Sequence, residues 1–260
     1  MALFFEVEAQ AQLTNSTVRE KEFGSYFFHV IYFDYQKDPS SSMLMPGVNL
    51  FFLNKGKEYR IAAIEGDLSR AFAYEGPPVL TFYDESTNAE GGRVLFPFTK
   101  VQLGKPGTKI IFLAKGRNSR YVSSVIEAGK AGFKVDHVRV ANFSRQVVKA
   151  KVGEQVATIQ PMRSYDYPVE GESRRFLVRL AMAVLEEGGF TFFENRRFAV
   201  KQGGRKLIVV HQKTNAPEVL DYTSIIVTDE QPSENISDEE VETLDVSKLY
   251  GPDSYNDGGE

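Results

Sequence analysis

The chain has 260 residues, of which 42% are hydrophobic and 25% charged, a composition typical of soluble globular proteins. It contains no cysteine, which excludes disulfides, thiolate metal sites and a cysteine nucleophile, and no stretch approaches the roughly 18 apolar residues that a membrane helix needs. The net charge of −4 is unevenly distributed: residues 229–260 carry eleven acids and one base (−10), and the other residues carry 24 acids and 30 bases (+6).

The first residues do not form a recognisable signal peptide. Ala9-Gln10-Ala11 has the small-x-small form of a cleavage site, but Glu6 and Glu8 interrupt the apolar run and no basic residue precedes it. We therefore expect an extracytoplasmic location, periplasm or cell surface, only if a leader precedes the given start, and a cytoplasmic one otherwise.

Strand signals dominate the chain from Ser25 onward. Short runs of aromatic and β-branched residues alternate with turns that contain Gly, Pro or Asn, and turn signals recur roughly every 8–12 residues, which is typical of an all-β sandwich or barrel. The predicted strands are 25–33, 48–53, 59–64, 71–74, 79–83, 94–98 and 109–114, then 137–141, 147–152, 155–159, 176–184, 190–193, 197–201 and 206–211.

Two segments leave the choice between strand and helix open at first. Residues 119–129 fit either a strand with a turn or one helical turn. Residues 176–187 fit a helix on their apolar pattern alone, but we interpret them as a strand, because their counterpart 79–83 is β-branched and aromatic and follows Pro78.

The middle of the sequence contains an internal repeat. One apolar strand ends at Asn54 and another at Asn142, 88 residues later. Residues 98–101 and 198–201 match each other at a distance of 100, and each precedes a Gly-containing turn and an aliphatic strand. A period this long favours tandem copies of one domain over a solenoid, whose units run roughly 20–50 residues.

The repeat predicts two tandem Ig-like or cupredoxin-like β-sandwich domains, residues 1–131 and 132–228, and an acidic tail. The tail, residues 229–260, combines low hydrophobicity with dense like charge, so we expect it to be mostly disordered. Within it, residues 237–240 form a capping box, which leaves two interpretations open: a solvated tail with no role, or a short amphipathic helix that folds only when docked on its own body or on a partner. The apolar residues of that helix are Val241, Leu244 and Leu249.

No motif in the sequence carries catalysis or binds a metal. His29, His137 and His211 each lie inside a predicted strand, and none has H-x-H or H-E-x-x-H spacing, so we interpret them as isolated strand histidines. The segment 104–109 lacks the spacing of a phosphate-binding loop and predicts a hairpin turn. We predict no enzyme, no cofactor and no metal; a hydrolase whose residues converge only in space is the enzymatic alternative.

Basic residues gather in the second half and give the first candidate binding surface. Strand alternation places Arg175 and Arg179 on one face, with Arg197 and Lys201 beside them. Such a patch suits an acidic polysaccharide or a nucleic acid, with nucleic acid the less favoured because no nucleic-acid signature accompanies it. It could equally be a solvated face or the docking site of the acidic tail. The basic candidates are Arg174, Arg175, Arg179, Arg196, Arg197 and Lys201.

Tyrosines near turns give the second candidate surface. Tyr74 precedes Gly76-Pro77-Pro78, and Tyr165 and Tyr167 precede Pro168, so they occupy similar places in the two copies. As exposed rings they would offer stacking platforms to a glycan. As corner tyrosines they would anchor a loop to the core, which is commoner in sandwiches.

The second copy resembles a known kind of exported protein. Its segment 136–144 continues through Lys151-Val152-Gly153 to Ile159-Gln160-Pro161, a pattern similar to a module common in exported bacterial tandem β-sandwich proteins. One such protein, in style, is the periplasmic accessory protein of alginate O-acetylation. The resemblance implies a β-sandwich fold and a cell-envelope location, and it supplies no catalytic residue.

These observations predict a non-enzymatic binding or scaffold protein of the bacterial cell envelope, which recognises a partner protein or an acidic polysaccharide. The alternative is an accessory factor in surface-polysaccharide modification or export. We expect no membrane span, and the oligomeric state stays open.

Overall fold

The computed structural model describes residues 23–35, 47–116, 121–213 and 216–228. Within these ranges the chain is all-β, and no helix long or apolar enough to cross a membrane is present. The acidic tail and its predicted amphipathic helix lie outside the described residues. The strands are β1 Gly24–Asp34, β2 Gly47–Asn54, β3 Lys57–Ile64, β4 Phe72–Gly76, β5 Val79–Thr87, β6 Arg93–Gln102, β7 Gly107–Lys115, β8 Tyr121–Glu127, β9 His137–Asn142, β10 Val148–Val152, β11 Gln155–Ile159, β12 Arg163–Pro168, β13 Arg175–Glu186, β14 Gly189–Lys201, β15 Arg205–Lys213 and β16 Ala216–Val227.

The strands form four sheets, and the second half of the chain repeats the topology of the first. Strands β3-β2-β5-β6 form sheet I and β4-β1-β7-β8 form sheet II. Strands β12-β9-β15-β16 form sheet III and β11-β10-β13-β14 form sheet IV. Adding eight to each label converts sheets II and I into sheets III and IV, including the parallel pairs β1–β7 and β9–β15. The prediction of tandem β-sandwiches is therefore confirmed.

The repeat was aligned correctly at one end and wrongly at the other. Residues 98–101 lie in β6 and 198–201 in its counterpart β14, as predicted. Asn54, however, ends β2, whereas Asn142 ends β9, which is the counterpart of β1. Both β1 and β2 are apolar strands, and the local pattern does not identify which of them pairs with the parallel partner.

The strand predictions hold best where the pattern is long. Residues 175–186 form strand β13, so the helical alternative for 176–187 is wrong, and Tyr121–Glu127 forms β8. The segment of Tyr165 and Tyr167, which was predicted to lie near a turn, is strand β12. The two predicted strands 190–193 and 197–201 are one continuous strand, β14. Strand β16 was not predicted.

Each sandwich encloses its own hydrophobic core. Between sheets I and II the core is aromatic: the rings of Phe52 and Phe82 lie 5.2 and 6.2 Å from that of Phe28, measured between centroids. Between sheets III and IV the core is mainly aliphatic, with Val140 and Leu180 fully buried.

A third core joins the two sandwiches face to face. On sheet II, Phe33 and Phe112 point away from the first core, and on sheet III Leu207 and Val209 point away from the second. These side chains are buried against one another, and the Phe112 ring lies 4.2 Å from that of Phe143. The order of the layers is therefore I, II, III, IV, and sheets II and III are apolar on both faces.

The connection between the sandwiches is fixed by two arginines of sheet III. Phe133 is fully buried, with the guanidinium of Arg139 4.4 Å and that of Arg205 5.9 Å from its ring centroid. Arg139 donates to both carboxylate oxygens of Asp166 (2.5 and 2.6 Å) and to the carbonyl of Glu127 (2.7 Å). The predicted domain limit at residue 131 falls in this connection, and it stays a prediction.

Candidate binding face

Strand alternation divides β13 between the core and the outer side of sheet IV. Val178 and Leu180 are buried in the second core. Arg175 and Arg179 therefore point outward, and the register of β13 with β14 places Lys201 opposite Arg175 and Arg197 opposite Arg179. The structure brings these four predicted residues together on one face.

Strand β10 adds two lysines to the same face. Lys149 and Lys151 alternate with buried Val148, Ala150 and Val152, so they point outward, and Lys151 pairs with Ala181 of β13, two residues from Arg179. We call this outer side of sheet IV the basic face. Its cationic residues are Lys149, Lys151, Arg175, Arg179, Arg197 and Lys201.

The cations of the basic face oppose one another across the strands. Like charges directly opposite each other destabilise an antiparallel pair of strands. Within the part of the chain that the structure describes, no carboxylate forms an ion pair with Arg175, Arg197 or Lys201. The described part of the chain therefore leaves these charges uncompensated, and an anionic ligand would neutralise them.

One carboxylate stands at the corner of the basic face. The Lys151 Nζ lies 2.9 Å from Glu154 Oε2 in the turn between β10 and β11. Hydrogen bonding and charge from Lys151, with a smaller contribution from Arg179, hold the pKa of Glu154 below its usual range. Because Glu154 is exposed, this pair leaves most of the positive charge of the face in place.

Aromatic rings lie at the other end of the basic face. A β-bulge between Met182 and Ala183 places Phe192 opposite Ala183 and Phe190 opposite Leu185, on the outer side. The Lys149 Nζ lies 5.1 Å from the centroid of the Phe190 ring, as expected for side chains on one face. Phe192 is 72% exposed and Leu177, between the arginine pairs, is 67% exposed. The face thus combines fixed positive charge with exposed apolar surface.

On the corresponding face of the first sandwich, one arginine is paired with two carboxylates. On the outer side of sheet I, the Arg93 guanidinium donates to Glu58, and its Nε lies 3.0 Å from Glu85 Oε2. The same guanidinium lies 5.0 Å from the Phe51 ring centroid, in a shallow depression of about 720 Å³. The two outer faces therefore differ in one respect: on sheet I Arg93 is paired with carboxylates, and on sheet IV cations face cations across the strands.

Two of the predicted basic residues lie elsewhere. Arg196 pairs with Leu180, so it points to the core side of sheet IV, where its guanidinium lies 4.6 Å from the Tyr222 ring centroid at the sandwich edge. Burial and the nearby carboxylate of Glu194 raise the pKa of Tyr222 to about 12. The placement of Arg196 on the basic face was wrong, because neighbours on a strand point to opposite sides. Arg174 is exposed in the loop before β13, and its backbone carbonyl accepts a hydrogen bond from the backbone N–H of Gln202 (3.0 Å).

Two of the predicted binding tyrosines are core residues. Tyr167 is fully buried, and its Oη donates to the carbonyl of Ala150 (2.9 Å), while Tyr74 is 6% exposed and its Oη donates to the carbonyl of Val79 (3.4 Å). Burial raises the pKa of both phenols. Their assignment as stacking platforms was wrong, since neither ring presents a free face. Tyr165 is 46% exposed but lies on sheet III, with its ring 4.8 Å from that of Tyr167.

The three histidines contact backbone carbonyls in the described parts of the chain. Each ring Nδ1 contacts a nearby backbone carbonyl: His29 that of Ser69 (2.8 Å), His137 that of Val135 (2.7 Å) and His211 that of Gln212 (2.9 Å). In those described ranges no group of three His, Asp or Glu side chains is arranged to hold a metal ion.

Sequence reasoning missed the aromatic and lysine parts of the basic face. Lys149 and Lys151 alternate with small apolar residues in 148–152, and this signal was present in the sequence. The outward direction of Phe190 and Phe192 depends on the bulge, which shifts the alternation of β14 by one residue.

Comparison with known proteins gives no close relative. No protein family matches the chain, and no curated protein is similar to it. A DUF3823 family protein from Bacteroides ovatus is 10% identical, with a TM-score of 0.17 over 69% of this chain and 100% of its own. A candidate cell adhesion protein from Bacteroides uniformis is also 10% identical, with a TM-score of 0.18 over 78% of this chain and 97% of its own. Scores this low carry no argument about function, and the analogy with alginate O-acetylation finds no support in them.

Proposed function

We propose that the chain is a non-enzymatic binding protein that holds an acidic polysaccharide on the basic face of sheet IV. The observation that carries the proposal is the pair of like-charge contacts, Arg175 opposite Lys201 and Arg179 opposite Arg197. An arrangement that costs folding free energy is expected where a ligand supplies the missing charge.

The geometry of the face suits a chain-like ligand. The two cationic pairs are four residues apart on β13, which corresponds to about 14 Å along the strand. Phe190 and Phe192 continue the same surface beyond the bulge, so a polymer lying along β13 and β14 would meet charge first and aromatic rings next. Carboxylates of the polymer would pair with the guanidinium groups, and apolar faces of its sugar rings would pack on the phenyl rings.

The cellular role of such binding remains part of the proposal. A binding protein of this kind fits the cell envelope, where acidic polysaccharides are made and displayed, and it fits an accessory factor in their modification or export. Either role requires the same contact with the polymer.

The test uses the whole chain and polymers of defined charge. We expect binding to polygalacturonate and hyaluronate, weaker binding as salt rises, and none to neutral dextran, measured by calorimetry or affinity electrophoresis. The variant R179E/R197E should weaken binding about tenfold or more, a loss of about 1.4 kcal/mol or more. The variant K100E/K105E makes the same change of charge on the first sandwich, where both lysines are exposed, and should bind as the wild type does.

Several outcomes would refute the proposal. Equal weakening by R179E/R197E and K100E/K105E would mean that net charge, and not this face, governs binding. Binding to a single-stranded oligonucleotide as tight as to the polysaccharides would show a face without preference for glycans. The variant F190A/F192A separates the two contributions: loss of polysaccharide binding with an unchanged salt dependence is expected if the rings contact sugar.

A further inference from the structure

The same chain carries a segment whose charge is opposite to that of the basic face. Residues 229–260 bear eleven acids and one base, a charge of −10, whereas residues 1–228 bear +6. Opposite charges of this size on one chain attract each other over about a Debye length, roughly 8–10 Å at physiological ionic strength. The question is whether the tail starts close enough to the face to use this attraction.

The tail starts beside the cationic end of the basic face. Strand β16 ends at Val227, which pairs with Arg205 at the start of β15. Only the turn of residues 202–204 separates Arg205 from Lys201. The contact between Arg196 and Tyr222 shows that β14 and β16 lie at the same edge of the sandwich. Lys201 follows Arg196 by five positions, and Val227 follows Tyr222 by five positions. Both therefore lie at one end of that edge.

The tail is long enough to cover the face. The face extends from Arg175 to Leu185, ten residue steps along β13, or about 34 Å. Fully extended, the tail of 32 residues would span about 100 Å. It can therefore turn around the edge of the sandwich and still reach Phe190 at the far end.

The tail also matches the apolar part of the face. If residues 237–249 are helical, Val241, Leu244 and Leu249 lie on one side of the helix. On the basic face, Leu177 and Phe192 are the most exposed apolar residues of β13 and β14. Charge and apolar surface thus occur together on both partners.

We propose that residues 229–260 dock on the basic face of sheet IV of their own chain. The docked tail occupies the surface that the proposed function gives to an acidic polysaccharide, so, if that function holds, the tail competes with the polymer. A tethered competitor acts at an effective concentration of the order of millimolar, so only a polymer with many acidic groups displaces it. The tail then selects long, densely charged polymers over short ones.

The docking is tested without any polysaccharide, by carbodiimide coupling of carboxylates to lysines in the whole chain. We expect tail peptides coupled to Lys149, Lys151 or Lys201, and none coupled to Lys100 or Lys105, which are exposed on the first sandwich. The variant R175E/R179E/R197E keeps all these lysines and should lose the coupling. Coupling to Lys100 and Lys105 as strong as to the basic face, or none at all, would overturn the proposal.

Isotope mixing separates docking within a chain from docking between chains. When ¹⁵N-labelled and unlabelled chains are mixed before coupling, docking within a chain gives coupled peptides of a single label. Peptides with both labels would assign the tail to the face of a second copy, and they would refute docking on the same chain.

A second measurement distinguishes this proposal from the proposed function. The variant D238N/E239Q/E240Q/E242Q lowers the charge of the tail and should bind polygalacturonate several-fold more tightly than the wild type. If the wild-type tail couples to the face but this variant binds no polysaccharide, the proposed function alone is refuted. Tight polysaccharide binding without tail coupling would refute the docking alone.

Discussion

A lysine buried in the first sandwich offers a sharp test of the energetics of the fold. Lys109 on β7 has no exposed surface, and its Nζ forms an ion pair with Oε1 of Glu127, which stands opposite it on β8. Removing one partner of a buried pair costs about 3–5 kcal/mol, because the remaining charge is left without compensation. The Glu127 side chain is 51% exposed, so water can partly replace it, and we expect Glu127→Gln to destabilise the protein by about 3 kcal/mol.

The matched variants isolate the charge from the packing. Lys109→Met keeps an unbranched apolar stem and removes the charge, so we expect it to change stability by less than about 1 kcal/mol in either direction. The double variant K109M/E127Q should then be close to K109M, since no buried charge is left unpaired. Urea unfolding followed by circular dichroism measures all four proteins. The reasoning fails if E127Q stays within about 0.5 kcal/mol of the wild type, or if the double variant is as unstable as E127Q.

Three further predictions concern the cores. Burial lowers the pKa of His211, so the neutral form is favoured in the fold; stability is fully present above the unfolded pKa of about 6.5 and is lost as pH falls from there through the lower pKa of the folded state. Thermal unfolding between about pH 8 and pH 5 should show this loss, and His211→Leu should abolish it. Phe112→Ala removes a ring from the third core and should cost about 3–5 kcal/mol, whereas a cost below 1 kcal/mol would mean that the sandwiches hardly depend on each other. Tyr167→Phe should cost about 1 kcal/mol by losing one buried hydrogen bond and should leave polysaccharide binding unchanged; weaker binding would return Tyr167 to the binding site.

Alternation along single strands allowed part of the basic face to be predicted. Arg175 and Arg179 were placed together because residues two and four apart on a strand share a side, and the register with β14 adds Arg197 and Lys201. Arg196 was included because it is adjacent in sequence, and the same rule excludes it. Tyr167 shows what alternation cannot predict. Its ring is apolar enough to be buried, but its hydroxyl group needs a hydrogen-bond partner there, and that partner, the carbonyl of Ala150, comes from a distant strand.

The parts that were missed depend on contacts between distant segments. Among the described strands, β16 pairs only with β15 and lies at the edge of sheet III. Its polar residues, such as Glu218 and Asp221, obscure the alternation of apolar and polar residues that predicts a strand. The third core left a signal in the sequence that was not used. Residues 110–114 are apolar without interruption, as expected for a strand covered on both faces, and this pattern predicts a further layer packed on sheet II.

The order of the four layers sets the mechanical character of the molecule. Three gaps of about 10 Å separate the backbone of sheet I from that of sheet IV, so the two outermost surfaces are about 30 Å apart and look in opposite directions. Because buried apolar side chains fill the middle gap as well as the other two, we expect force applied at one end to pass to the other without a hinge between them. We therefore expect a polymer held at sheet IV to leave the Arg93 side unobstructed, and the protein to act as a spacer with two separate ends.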